Sequence, residues 1–270
     1  MSNTIRLSVN NDRPKFQIIF IVSNEVDLLK VTLPVSLNSL TKNSKYSYEV
    51  VVQMDNADSD SVKEMIKWSE QVNYIDEIRI RNRNNKKLVC PGDLTNNPHF
   101  HLVSDKSDYI IAIECDVIAV LADKNYDALG EIFNFFKKYP KTCLINSAID
   151  YDCWVWKLHD IGYPIEKNIR SVNRISTHFL IYHTKRFLNF SVQKEIYDFS
   201  KYSNDCLYED IISNELLNAQ IPIAFFDNWE IKVRHCDEKQ YPGSLHYKRD
   251  PKLKLKIAKD TIDKYSYKVK

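Results

Sequence analysis

Four acidic clusters, far apart along a chain of 270 residues, are the first candidates for chemistry. The first is Asp55, followed by Asn56-Ala57-Asp58-Ser59-Asp60. An aspartate directly after an apolar run can accept hydrogen bonds from a ring N–H or a ribose hydroxyl. Asp58 and Asp60, by contrast, suit the cap of a following helix. The second cluster is Glu114-Cys115-Asp116. Two carboxylates one residue apart, at the end of a buried run, are costly unless their charge is compensated. In an extended stretch they point the same way, so one divalent cation could face both. The alternative is a basic partner on Glu114, with Asp116 capping a turn. The third cluster, Glu209-Asp210, opens a helical segment. There the helix dipole favours acids, and a carboxylate beside a hydroxyl could act as general base. The fourth is Arg234-His235-Cys236-Asp237, in which a neutral His235 imidazole could ligate a metal. A zinc site from His235, Cys236 and His246 is conceivable but matches no common spacing.

These residues need a scaffold, and the hydrophobic pattern supplies one. Residues 17–22 form a continuous apolar run, as in a strand covered on both faces. Ser23 and Asn24 suit the cap of the next helix, which carries Leu29, Leu33, Leu37 and Leu40 at helical spacing and Pro34 as a kink. Strands are expected over 48–54, 77–80 and 109–113, and helices over 61–72 and 126–138. A strand over 142–149 follows, after which 150–174, rich in Trp and Tyr, reads as irregular. Strands at 178–182, 221–226 and 230–233 and a helix at 207–219 complete the pattern. Alternating strands and helices imply an α/β fold: one open, mostly parallel sheet flanked by helices, with a ligand crevice at its carboxyl edge and a mixed second half. The chain reads as a single domain, 1–270, with halves at 16–149 and 150–246 and a basic tail at 247–270.

Bulk properties exclude several classes. Lys and Arg number 38 against 36 Asp and Glu, so nucleic acid is not an expected partner. Four glycines cannot build a Walker or dinucleotide phosphate loop. Six scattered cysteines without a C-x-x-C pair fit a reducing, cytoplasmic setting. The first residues lack the apolar core of a signal peptide, and the longest apolar stretch, 109–122, contains Glu114 and Asp116 and is too short to span a bilayer. The tail holds nine basic residues against three aspartates. Interleaved Leu253, Leu255, Ile257 and Ile262 could lay it on the inner face of an anionic membrane, a solvated helix being the alternative.

In chain order these marks resemble glycosyltransferase family 2 and its GT-A (Rossmann-like) fold. Residues 18–24 look like the family's opening strand and turn. Asp55, after Met54, resembles the strand-end aspartate that contacts the nucleotide base. Glu114-Cys115-Asp116 stands in the D-x-D position, where the family binds a cation and the donor diphosphate. Glu209-Asp210 matches an E-D pair whose aspartate is the base of inverting members, and His235 occupies a late metal-contact position. The resemblance covers about Phe16 to Asp237. It departs in having Glu114 first in the D-x-D position, Val89-Cys90-Pro91-Gly92-Asp93 in place of glycines before the fourth strand, and no glycine-rich acceptor segment.

The resemblance implies a metal-dependent, inverting glycosyltransferase of bacterial-type polysaccharide, glycolipid or glycoconjugate synthesis. Its donor would be a nucleotide-sugar, a UDP-sugar being favoured, and its acceptor a carbohydrate, lipid-linked or other hydroxyl. Ser23, Glu25, Asp55, Glu114 and Asp116 would bind the donor, Asp116 and His235 would hold Mn²⁺ or Mg²⁺, and Asp210, beside Glu209, would be the base. Lys86 and Lys87 could reach phosphate or be a solvated face, and Trp154 and Trp156, near Tyr151, could stack on an acceptor sugar or merely pack. Two rivals remain. A sugar-phosphate nucleotidyltransferase wants a glycine- and base-rich phosphate loop, which is missing after Val22. A non-catalytic nucleotide-sugar binder would explain Glu114 and the few glycines.

Overall fold

A computed structural model describes residues 2–7, 13–81, 99, 102–103, 106–149, 163–193, 208–227, 229–239, 247–248 and 250–265. The strands are β1 (Ser2–Arg6), β2 (Phe16–Val22), β3 (Tyr48–Asp55), β4 (Glu77–Arg81), β5 (Tyr109–Glu114), β6 (Val117–Leu121) and β7 (Leu144–Ser147). They continue as β8 (Tyr163–Glu166), β9 (Ile169–Val172), β10 (Phe179–His183), β11 (Ile223–Phe226), β12 (Ile231–His235), β13 (Glu238–Lys239) and β14 (Tyr247–Lys248). The helices are α1 (Val26–Thr41), α2 (Ser59–Ser69), α3 (Ala128–Lys138), α4 (Thr184–Gln193), α5 (Tyr208–Asn218) and α6 (Pro251–Tyr265).

Ten strands share one sheet in the order β1-β4-β3-β2-β5-β10-β7-β11-β9-β8. Strands β2 to β5, β7, β8 and β11 run one way, and β1, β9 and β10 the other, so the sheet is mostly parallel as expected. The run in β2 is continuous because both faces are covered. Phe16, Ile18, Phe20 and Val22 enter the core under α1, α2 and α3, while Ile19 and Ile21 enter the core under α4 and α5. From β2 the chain steps to β3 on one side and later to β5 on the other. That reversal opens a crevice at the carboxyl ends of β2, β3 and β5.

A separate antiparallel pair, β6 with β12, lies against α1. The strand expected over 109–113 is β5; after the turn at Cys115 and Asp116 the chain continues in a further strand, β6, which the sequence pattern did not single out. Helix α1 fixes this turn through a row of small hydroxyls. Thr32 Oγ1 donates to the Cys115 carbonyl (2.9 Å), while Ser36 and Ser39 accept from the amides of Ala119 and Leu121 (2.9 Å each). These bonds satisfy backbone groups on the side of β6 away from β12.

Some expectations need correction. Residues 150–174 are not irregular throughout: 163–172 form the β8–β9 hairpin at the far edge of the sheet. Its strands are four residues long, and Pro164 is tolerated because an edge strand needs no donor on its outer side. Neither Ser23 nor Asn24 caps α1; Glu25 stands at the N-cap without a side-chain bond, and Asn24 Oδ1 instead accepts from the Asp58 amide (2.9 Å). Asp58 does cap α2, accepting from the Ser61 amide. The basic tail forms α6, and Leu255, Ile257 and Ile262 pack inward with Ala258 against Leu28, Ile118, Val120 and Cys236. No helix among the described residues is long and apolar enough to cross a membrane.

Two predictions follow from this packing. Thr32→Val keeps the side-chain shape but leaves the Cys115 carbonyl without its donor, so urea unfolding should show a loss of about 1–3 kcal/mol; an unchanged midpoint would refute the role given to this bond. The second concerns His183, whose ring lies 5.2 and 5.4 Å from those of Tyr109 and Phe136. Burial and the Arg186 guanidinium push its pKa down to about 4, below the unfolded value of about 6.5. Between these values the unfolded chain binds a proton that the folded chain does not, so stability falls as pH drops from about 6.5 to about 4. His183→Gln should make that loss smaller, and an identical stability–pH profile would contradict this account.

Candidate functional site

At the end of β5 the chain turns through Cys115 and Asp116 and leaves as β6. Backbone bonds clamp the turn on several sides: Cys115 N–H donates to the Ile21 carbonyl (2.8 Å), Glu114 N–H to that of His178 (3.1 Å), and Cys236 N–H to that of Asp116 (2.6 Å). Because β12 runs antiparallel to β6 with His235 opposite Val117, His235 arrives beside Asp116. Its Nε2 lies 3.5 Å from Asp116 Oδ2 and 3.9 Å from Asp237 Oδ2. Helix α6 adds Lys254 from the other side. The Lys254 Nζ stands 2.7 Å from Glu25 Oε1, 3.2 Å from Asp116 Oδ2 and 3.1 Å from Asp237 Oδ1, with the side chain 9% exposed.

The electrostatics follow from this crowding. Burial alone would raise the Asp116 carboxyl, yet His235, Lys254 and His178 hold it well below the usual carboxylate range. Burial would likewise lower Lys254, but Asp116, Glu25 and Asp237 raise it strongly. Asp237 is raised, by burial and by the Asp116 charge. Cys115 and Cys236 are lifted by burial and by Asp116, Cys236 to about 12, so both remain thiols.

Asp116, His235 and Asp237 each offer a ligand atom, and these atoms lie within 4.8 Å of one another. Two carboxylate oxygens and one imidazole nitrogen make a donor set suited to Mn²⁺ or Mg²⁺, and the Lys254 ammonium is a stand-in cation among them. The residues fit a divalent ion. Cys236 is fully buried, and His246 lies outside the described residues.

Glu114 has different partners. The 115–116 turn ends the extended stretch, and Glu114 sits between His99 and His178, each Nε2 at 3.6 Å from one of its oxygens. Those histidines hold it below its ordinary value against burial, which would raise it. The His178 ring is 4.6 Å from that of His235, which links the two carboxylates into one cluster.

The other predicted residues lie around this core. Asp55 ends β3 opposite Arg81, whose Nη1 is 3.3 Å from its Oδ1. Asn56 then takes φ 54°, a left-handed turn that asparagine tolerates. Ser23 is exposed in the β2–α1 turn. Beside it, Asn24, Glu25, Leu28, Pro251, Lys254 and Leu255 line much of a cleft of about 280 Å³. On α5, Glu209 accepts from Thr177 Oγ1 (3.0 Å) and Asp210 from Arg174 Nε (2.7 Å), and Thr177 immediately precedes His178. The site thus gathers Glu25, Asp116 and His235 directly and ties Glu114, Glu209 and Asp210 to them through the 174–178 segment. Trp154, Trp156, Tyr151, Lys86 and Lys87 lie outside the described residues. Sequence reading missed His178, Asp237 and Lys254 as site residues. Asp237, two residues after His235, carried the only local signal.

No family model matches the sequence, and comparison with curated proteins finds no relative. Solved structures do match. Residues 1–349 of TarS from S. aureus align over 82% of this chain and 60% of that one, with 13% identity and a TM-score of 0.51. GalNAc-T7, solved with UDP, GalNAc and Mn²⁺, aligns over 95% of this chain and 49% of that one, with 12% identity and a TM-score of 0.57. The chain therefore spans about half to three fifths of the length of these proteins. At such identities the likeness is one of architecture, and the architecture is the GT-A fold: a mixed α/β chain built on a large, mostly parallel sheet flanked by helices.

Proposed function

We propose that this chain is a metal-dependent glycosyltransferase that moves a sugar from a nucleotide-sugar to an acceptor hydroxyl. The observation that carries the reading is the Asp116, His235 and Asp237 donor set, standing at the carboxyl edge of a GT-A sheet where its strand order reverses. Asp116, His235 and Asp237 would hold Mn²⁺ or Mg²⁺, which when bound offsets charge on the leaving diphosphate. Asp55 accepts a hydrogen bond from the base, with a UDP-sugar as the favoured donor, and Ser23 and Glu25 face it from the β2–α1 turn. Asp210 takes the proton of the acceptor hydroxyl, and the anomeric configuration inverts. Arg174 supports that role by orienting the Asp210 carboxylate, while the Glu209–Thr177 bond ties the start of α5 to the segment carrying His178. Trp154 and Trp156 would stack on a carbohydrate or lipid-linked acceptor. A cytoplasmic setting is supported by Cys115, Cys143 and Cys236, which are buried thiols. A non-catalytic nucleotide-sugar binder is the second reading, favoured by Lys254, which already neutralises part of the acidic cluster.

Incubation with UDP-hexoses and Mn²⁺ separates these readings. The wild-type chain is expected to release UDP, Asp116→Ala to slow that release about 10²-fold or more, and Asp210→Asn to slow transfer about 10²- to 10⁴-fold. Binding of the donor with no release in any sample would favour the binder. Pyrophosphate formed from a nucleoside triphosphate and a sugar phosphate would make the chain a nucleotidyltransferase.

A further inference from the structure

Lys254 enters the candidate site from the far end of the chain, and its position is built into the fold. On α6 it shares a face with Ala258 and Thr261, both fully buried. Asp250 caps the helix by accepting from the amides of Lys252 (3.0 Å) and Leu253 (3.2 Å). Helix α6 packs on α1 and β6 through its own apolar cluster, so the ammonium is delivered by a docked element rather than a loose tail.

An ammonium has three N–H donors, and here three carboxylates lie within 3.2 Å of it: Glu25, Asp116 and Asp237. With its donors so engaged, Lys254 has little left to offer a phosphate in this arrangement. Two of its partners, Asp116 and Asp237, belong to the donor set with His235, and Asp116 turns the same oxygen, Oδ2, toward both Lys254 and His235. A divalent ion at a normal bond length of about 2.1 Å from that oxygen would lie within about 5 Å of the ammonium. Two cations that close, in a site removed from water, repel strongly. The side chain also has somewhere to go. The cleft of about 280 Å³ is lined by both Lys254 and Glu25, so the flexible lysine stem can leave Asp116 and Asp237 while keeping Glu25 as partner.

We propose that Lys254 is the resident counter-ion of the cation site, and that a divalent ion binds by displacing it from Asp116 and Asp237 into the cleft beside Glu25. The inference rests on the reading of Asp116, His235 and Asp237 as cation ligands. It makes α6 a determinant of how much metal the site requires.

Mn²⁺ titration of the full chain, followed by the electron paramagnetic resonance of the free ion, tests it. Lys254→Gln should bind Mn²⁺ at least tenfold more tightly than the wild-type chain. A second measurement needs no variant: acetylation of lysines in the wild-type chain, read by mass spectrometry. Lys254 should be slow to react without metal and several-fold faster with saturating Mn²⁺, while Lys252 and Lys256, both exposed, stay constant. Equal or weaker Mn²⁺ affinity in Lys254→Gln, or a Lys254 that stays protected while Mn²⁺ is bound, overturns the inference and leaves the cation-ligand reading standing. Failure of Mn²⁺ to bind either chain overturns both.

Discussion

The site depends on one electrostatic constraint: Asp116 stands in the turn between two buried strands, and its charge must be met from within the protein. Its side chain is 15% exposed. Removing a carboxylate from water costs several kcal/mol even after the protein relaxes, a sizeable share of the roughly 5–15 kcal/mol that holds a domain together. The compensation comes from three elements distant in sequence: His235 on β12, Lys254 on α6 and His178 at the start of β10. Each is delivered by an element with its own apolar anchor. Trp229, Ile231 and Val233 seat β12, Ala258 seats α6, and Phe179 and Ile181 seat β10. Hydrophobic burial therefore sets the positions, and charge compensation selects which residues stand there.

The same division explains what could be read from the chain. Strands β2, β3 and β5 are visible because burial on both faces demands unbroken apolar runs, and Asp55 and Asp116 are visible because each interrupts such a run. Strand β6 was hidden, since 117–121 belongs to the same apolar stretch as β5 and only Cys115 and Asp116 separate the two strands. The hairpin β8–β9 was hidden by its short strands and the proline within it. Lys254 was illegible for a different reason. In a tail with nine basic residues, nothing local separates the one lysine that turns inward, because its burial is decided by α1 and β6, more than a hundred residues earlier.

Glu114 illustrates how spacing alone misleads. Two acids at i and i+2 share a face only while the backbone stays extended. Here Thr32, Ile21 and His178 hold the intervening backbone in a turn, so Glu114 faces His99 and His178 while Asp116 faces His235 and Lys254. The pair still acts as a unit, because His178 and His235 pack ring against ring between them. The second acid thus belongs to the donor set with His235 and Asp237, while the first is part of a histidine-lined support.

Antiparallel pairing is what allows so many residues to converge. In a parallel α/β sheet each strand contributes to the crevice only from its carboxyl end. Strand β10 runs against β5, so its amino end reaches that edge and brings His178 and Thr177 with it. Thr177 then binds Glu209, and the preceding Arg174 binds Asp210, which ties the start of α5 to the same edge. The β6–β12 ladder does the converse: the strand leaving the edge meets the end of the strand returning to it, so Asp116 and His235 become neighbours. Were β10 parallel to β5, His178 would stand at the opposite edge of the sheet and the Asp116 charge would lose one of its three partners. Reversal of two strands, more than any single acidic motif, is what turns scattered acids into one site.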